Sequence, residues 1–230
     1  MISVLTCTNR PHMMNNIFAN YAQQELEQKE LILILNQDEM DINIWKREAK
    51  KYPNVSVYQL PARMSVSACK NFGVQKATYD YMAKFDDDDY YAPRYLTTVR
   101  DAFTEKQADI VGKSSIYYYF TNRNALGLFP SNSENSYTTR VADSTLAFKK
   151  DVCKHVRFTP MKMGSDSKFQ KDCRMKGFTI YSTARYDHVA IRGGASHTWN
   201  ITDEQLMKQC TALVYTKDYH IDKKKFSQSL

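Results

Sequence analysis

The chain has 230 residues, with 32 Lys and Arg against 25 Asp and Glu and a formal net charge of +7. That length suits a single α/β domain with a sizeable core, and the charge asks for anionic partners without choosing among them. Five scattered cysteines with no Cys-x-x-Cys pair exclude a disulfide or zinc framework, and no stretch approaches the roughly twenty apolar residues of a membrane span.

In chain order, the first half alternates strand and helix signals. Ile2 to Leu5 is a short apolar run ended by the polar turn Thr6-Cys7-Thr8-Asn9-Arg10. Pro11 suits a first helical position, and Met14, Ile17, Phe18 and Tyr21 follow at helical spacing. Leu31 to Leu35 is apolar on both faces, as a central parallel strand must be, and it ends in the polar Asn36-Gln37-Asp38. A helix marked by Ile44, Trp45 and Ala49 and a strand over Val55 to Tyr58 come next. Ser65 to Lys76 fits a helix whose outer face carries Lys70 and Asn71, and Tyr81 to Phe85 reads as a fourth strand. Such repetition predicts a parallel sheet with right-handed crossovers, and ligands bind outside the carboxyl ends of its strands.

The pattern changes after a helix carrying Leu96, Val99 and Phe103. Ala108 to Gly112, Ser115 to Phe120 and Thr145 to Phe148 read as strands. The Asn-, Ser- and Thr-rich stretch from Asn122 to Asp143 is long for a loop, so a small hairpin or a flap is expected there. Tyr117, Tyr118 and Tyr119 alternate across a strand, which offers one face to an acceptor cleft and the other to packing. Ser165 to Lys176 reads as a helix closed by Gly177, followed by strands at Phe178 to Ser182 and Val189 to Arg192 and a glycine-hinged turn reaching His197. Thr202 and Gln205 form a capping box for a last amphipathic helix carrying Leu206, Cys210 and Leu213, and the tail from Lys223 is expected to fray. The whole is expected to be one domain, with a nucleotide-binding half over residues 1–105, an acceptor-binding half over 106–200 and a helix and tail over 201–230.

The most informative stretch is Lys84-Phe85-Asp86-Asp87-Asp88-Asp89-Tyr90-Tyr91, at the carboxyl end of the fourth strand. Carboxylates that close repel when ionised, so a cation among them is expected, and hard oxygen ligands without cysteine point to magnesium or manganese. An acidic, solvated turn is the plain alternative.

Ser67-Ala68-Cys69-Lys70-Asn71-Phe72-Gly73-Val74, then Ala77, then Phe85 through Pro93, resembles the linked motifs of the family 2 glycosyltransferases. The likeness runs from Ile2 to about His197. It implies the GT-A nucleotide-diphospho-sugar transferase fold, a Rossmann-like α/β/α sandwich with a mostly parallel central sheet and a smaller mixed acceptor-side region.

Carried over position by position, the resemblance gives Asp86 to the donor ribose or the cation and Asp88 to the cation at the donor phosphates, with Asp87 beside the nucleotide. Thr6, Thr8 and Arg10 match the uridine-contacting turn, although Thr6-Cys7 stands where Pro-Thr is common. Asn36 falls where an Asp usually reads the base, and Lys70, next to Asn71, stands for the usual Arg near the nucleotide. Gly164-Ser165-Asp166 resembles the Glu-Asp motif with Ser165 in place of the Glu, which makes Asp166 the general base. Asp is also a favoured helix-start residue, so a capping role is the bland reading of Asp166. His197 matches a late position near the phosphates and is a candidate metal ligand.

The implied function is a metal-dependent inverting transfer, with Mn2+ or Mg2+, from a nucleoside-diphosphate sugar, a UDP-sugar first, to a hydroxyl of a glycan or polymer. Cell-surface polysaccharide synthesis is the expected setting. Basic residues look scattered apart from Lys149-Lys150 and Lys223 to Lys225, so nucleic acid is not expected as a partner. A cytoplasmic location is expected, with peripheral contact to an anionic membrane as an extension of it. A non-catalytic sugar-nucleotide-binding subunit fits the departures at Asn36 and Ser165. A sugar nucleotidyltransferase shares the layered fold, but Thr6 to Arg10 lacks the glycine-rich loop it would need.

Overall fold

The computed structural model describes residues 1–193 and 201–220. His197, the end of the glycine turn and the tail from Lys223 lie outside them.

Strand and helix alternate through the first half: β1 (Ile2–Thr8), α1 (Met14–Ala22), β2 (Lys29–Leu35), α2 (Ile42–Ala49), β3 (Val55–Gln59), α3 (Val66–Lys76) and β4 (Tyr81–Lys84). The short β5 (Tyr90–Tyr91) and α4 (Tyr95–Lys106) follow the acidic loop. Then come β6 (Ile110–Lys113), β7 (Ile116–Phe120), β8 (Ala125–Phe129), β9 (Ser136–Tyr137) and β10 (Ala147–Lys149). The chain closes with α5 (Ser165–Met175), β11 (Ile180–Thr183), β12 (His188–Arg192), α6 (Asp203–Met207) and β13 (Ala212–Tyr215).

An eight-stranded sheet runs β3-β2-β1-β4-β10-β6-β11-β9. β3, β2, β1 and β4 are parallel, β10 enters antiparallel between β4 and β6, and β6 pairs parallel with β11. Alternate residues of one strand feed opposite cores, which is what a two-residue period does when helices cover both faces. Val4, Leu31 and Leu33 pack with Phe18, Trp45, Val99 and Phe103 of α1, α2 and α4. Leu5, Ile32 and Ile34 pack with Cys69 and Val74 of α3 and Phe169 and Cys173 of α5. A second, five-stranded sheet, β13-β8-β7-β12-β5, forms the smaller mixed region.

Three expectations change and one is sharpened. β1 continues through Thr8, so Thr6 is a buried strand residue and not part of the turn. α3 is covered on both sides, by β1 and β2 and by the segment around Phe158, so Lys70 is buried and Asn71 half-buried instead of facing water. The stretch after Asn122 forms its hairpin with the strand before it: β8 pairs antiparallel with β7, and β9 crosses to the edge of the large sheet. The capping box at Thr202 is present, but its helix stops at Met207, and Ala212–Tyr215 pairs antiparallel with β8. Glycine allows two close features: a Cβ at Gly73 would collide with Leu5 of β1, and Gly177, at φ +86°, ends α5.

Candidate functional site

The tips of β1, β2 and β4 converge. The Asn36 backbone N–H donates to the Thr8 carbonyl at 2.7 Å. Thr8 Oγ1 donates to Asp87 at 2.5 Å, which ties the first strand end to the acidic loop. α1 holds the same loop from outside. Asn16 Nδ2 donates to the carbonyls of Asp87 (2.8 Å) and Asp89 (3.0 Å), and Asn20 Nδ2 donates to that of Asp89 at 2.8 Å. Tyr91, its ring stacked on Phe85, accepts from the Asp86 N–H at 2.8 Å and donates to the Ser144 carbonyl at 2.7 Å. The loop is thus held by α1 and by Tyr91.

The four carboxylates do not face one another unpaired. Lys84 Nζ lies 2.8 Å from Asp86. Arg10 forks across Asp87 and Asp88, with Nη1 2.9 Å from Asp88. Asp89 is buried, accepts from the Ile191 N–H at 3.1 Å and meets His188 at 3.2 Å. The chain thus sets cationic side chains against Asp86, Asp87 and Asp88, while burial outweighs the partners of Asp87 and Asp89 and raises both carboxyls.

A metal at this loop would still find suitable donors. Asp86 and Asp88 are the open pair, their side chains 36% and 20% exposed, whereas Asp87 and Asp89 are 6% and 8% exposed. Both present hard oxygens. Among the described residues no group of three or more His, Cys, Asp or Glu is arranged to hold a metal alone, so donor phosphates would have to complete its shell. His197, the third expected ligand, lies outside the described residues.

Beneath the loop is a second charged cluster. Asp166, the second residue of α5, is buried between Lys70 of α3, which forms a short ion pair with it, and Lys84 of β4, 2.8 Å away. Burial alone would raise its carboxyl, but the Lys84 and Lys70 ammoniums outweigh burial and hold it down at about 2. Lys70 also lies 3.4 Å from Ser165 Oγ and over the Phe158 ring. The structure thus places Lys70 in a charge pair with Asp166. Asn71 bridges both the N–H and the carbonyl of Phe158 and so fixes the segment that leads into α5.

Three residues of this region were not singled out from the sequence. Lys84 sits inside an apolar strand pattern and joins Asp86 to Asp166. Asp143 accepts from Ser167 at 2.9 Å and Gln170 at 3.0 Å. Its carboxyl is raised first by burial and second by the neighbouring Asp166 charge. His188 pairs with Asp89 from β12. The acidic loop could have flagged Lys84 through its need for positive partners; nothing local marks Asp143 or His188. Of the three tyrosines of β7, Tyr117 and Tyr119 pack in an apolar cluster. Tyr118 faces the other way, where burial and the Asp89 charge push its hydroxyl up.

Asn36 Nδ2 donates to the Pro61 carbonyl at 2.9 Å, and among the described residues its side-chain oxygen accepts no hydrogen bond. A concavity of about 430 Å³ lies beside these strand ends, lined by Asn9, Pro11, Gln37, Glu39 and Trp45. A larger one, about 710 Å³, is at the amino ends of the strands, near Glu30, Lys50 and Tyr79, far from the acidic loop.

Comparison with known proteins bears on the family and the fold. The family described as glycosyl transferase family 2 matches residues 3–171. The chain is 27% identical over 183 residues to the minor teichoic acid biosynthesis protein GgaB of Bacillus subtilis (strain 168), a match over 72% of this chain and 20% of that protein. It therefore spans about a fifth of the length of that curated relative. TarS 1-349 of S. aureus, in complex with UDP-GlcNAc, superposes with a TM-score of 0.68 at 16% identity, over 87% of this chain and 61% of that one. The mannosyltransferase PcManGT from Pyrobaculum calidifontis, in complex with GDP-Man and Mn2+, gives 0.62 at 14% identity, over 83% and 56%. At those identities the structures establish the shared GT-A fold.

Proposed function

The chain belongs to glycosyl transferase family 2, and from that premise we propose that it moves a sugar from a nucleoside diphosphate, uridine diphosphate first, to a hydroxyl of a glycan or polymer, inverting the anomeric carbon. The observation that carries this reading is the convergence of Thr8, Arg10, Asn36 and the acidic loop at one set of strand ends, with Asp166 beneath them. GgaB, by name a teichoic acid biosynthesis protein, supports cell-surface polymer synthesis as the setting. On this reading residues 1–105 serve the donor and 106–200 the acceptor.

Asn36 keeps a side-chain oxygen available to accept the N3–H of uracil. Arg10, spread over two carboxylates at the end of β1, would serve the uridine-contacting turn with Thr8. Asp86 and Asp88 would hold Mn2+ or Mg2+, which when bound offsets the charge growing on the leaving diphosphate. In the transfer, the acceptor oxygen bonds to the anomeric carbon as the bond to the diphosphate breaks. The bonding pair leaves with the diphosphate, and the acceptor proton passes to a carboxylate on the opposite side. Asp166 is assigned that role from its place in the Glu-Asp-like motif at the start of α5; its two lysines hold it ionised, which also makes it a weak base. A second reading gives the proton to Asp143, whose carboxyl is raised and more exposed.

Donor turnover and acceptor transfer, measured with UDP-sugars and manganese, separate these roles. Asp88→Asn should abolish metal-stimulated turnover. Asp166→Asn should keep donor binding and lower transfer by about 10²- to 10⁴-fold. Loss of transfer in Asp143→Asn, with Asp166→Asn active, would move the base to Asp143. Wild-type rates in Asp88→Asn and Asp166→Asn would overturn the reading.

A further inference from the structure

The basic residues that look scattered in the sequence are concentrated in one region. Residues 149–176 hold nine Lys or Arg against three Asp, a net +6 of the chain's +7. Part of that charge is paired: Lys149 with Asp109, Lys154 with Asp151 and Lys168 with Asp172. Among the described residues Lys162, Lys171 and Arg174 form no ion pair, and all three are exposed. The same surface carries apolar side chains in water: Met161 (44% exposed), Met163 (50%), Met175 (75%) and, from α3, Val66 (43%).

This surface has a fixed base. Phe158 is stacked on Phe169 and held by Asn71 through both backbone groups. Ser67 Oγ donates to the Thr159 carbonyl at 2.9 Å, which brings the start of α3, with Val66, alongside. From there Thr159 to Gly164 are six consecutive exposed residues that lead directly into α5. α5 turns Phe169, Gln170 and Cys173 inward, so Lys168, Lys171 and Met175, spaced by three and four, share its outer stripe.

Anionic surfaces attract such lysines and arginines, and methionines and valine gain by leaving water for the headgroup boundary. A soluble polyanion would satisfy the charges and leave the apolar side chains hydrated. We propose that the segment Thr159 to Gly164 and the outer face of α5 form a docking surface for an anionic lipid bilayer. This surface begins at the residues preceding Asp166, so docking would set the proposed transfer site close to the bilayer plane. The inference rests on exposure and charge and stands whether or not the sugar-transfer reading holds.

Flotation of the full chain with vesicles of phosphatidylglycerol and phosphatidylcholine, against phosphatidylcholine alone, tests it. Binding is expected only to the anionic vesicles, and it should weaken with salt. K162E/K171E/R174E should lower partitioning on the order of 100-fold. M161S/M163S should also lower it, while soluble donor turnover stays unchanged in both variants. All substituted positions are exposed, and circular dichroism checks the fold. The proposal is overturned by no binding to anionic vesicles, by equal binding to neutral ones, or by retained binding in the triple variant, which would move the contact to the untouched Lys223 to Lys225. Capture on a soluble polyphosphate without vesicle binding would overturn it in favour of a polymer.

Discussion

Lys84 and Lys113 are both buried lysines, and their surroundings send them in opposite directions. Lys84 has Asp166 and Asp86 within ion-pair distance, and those charges outweigh burial and raise its ammonium well above the usual range. Among the described residues Lys113 donates to Thr183 Oγ1 and the Ala184 carbonyl, and burial pulls it down from 10.5 to about 8. With the folded value below the unfolded one, the folded state binds fewer protons between those pH values. The penalty is therefore complete below pH 8 and lifts as pH rises towards 10.5. Lys113→Met should raise the melting temperature at pH 7, with a gain that shrinks by pH 10; no gain at pH 7 would contradict the burial argument. Asp166 behaves conversely, since removing it strands Lys70 and Lys84 at a cost of about 3–5 kcal/mol, so its transfer assay needs donor binding as a folding control. The carboxylates, Asp166 and Arg10 were legible from the sequence. Their partners were not, because Arg10 meets Asp87 across 77 positions and Lys70 meets Asp166 across 96. Such pairings exist only once the strands are assembled.

Elements were easier to read than faces. β1 to β4 and their helices follow from apolar period alone, since a strand covered on both sides must be apolar throughout. The segment after Asn122 was harder: β9 is two residues long and owes its place to pairing with β11. β13 is hidden because Leu206, Cys210 and Leu213 suit helical spacing, whereas pairing with β8 decides the outcome. Polar residues on a helix usually face water, which points Lys70 and Asn71 outward, yet a second layer of chain covers that side. Gly73 gives this packing a test. An added methyl would strike Leu5 and come within 3.1 Å of Ile34, so Gly73→Ala should destabilise the fold by about 1–3 kcal/mol in urea unfolding. An unchanged midpoint would mean that α3 and β1 are not this close.

At the scale of the molecule, two sheets and two charged clusters meet around the acidic loop. The large sheet supplies β1, β2 and β4, whose tips carry Thr8, Asn36 and the aspartates. The small sheet supplies Tyr118 and His188 from the opposite side. The order of strands predicted where a ligand would sit, as it does for open α/β sheets in general. It did not predict that Arg10 and Lys84 would pair with Asp86, Asp87 and Asp88, which sets how strongly a cation must compete there. The most direct test of the central claim is calorimetric titration of UDP in the presence of manganese, comparing wild type with Asp88→Asn. The account predicts saturable binding that depends on the metal and is lost in the variant. Absence of binding by wild type to UDP, GDP or any other nucleoside diphosphate with metal present would contradict it.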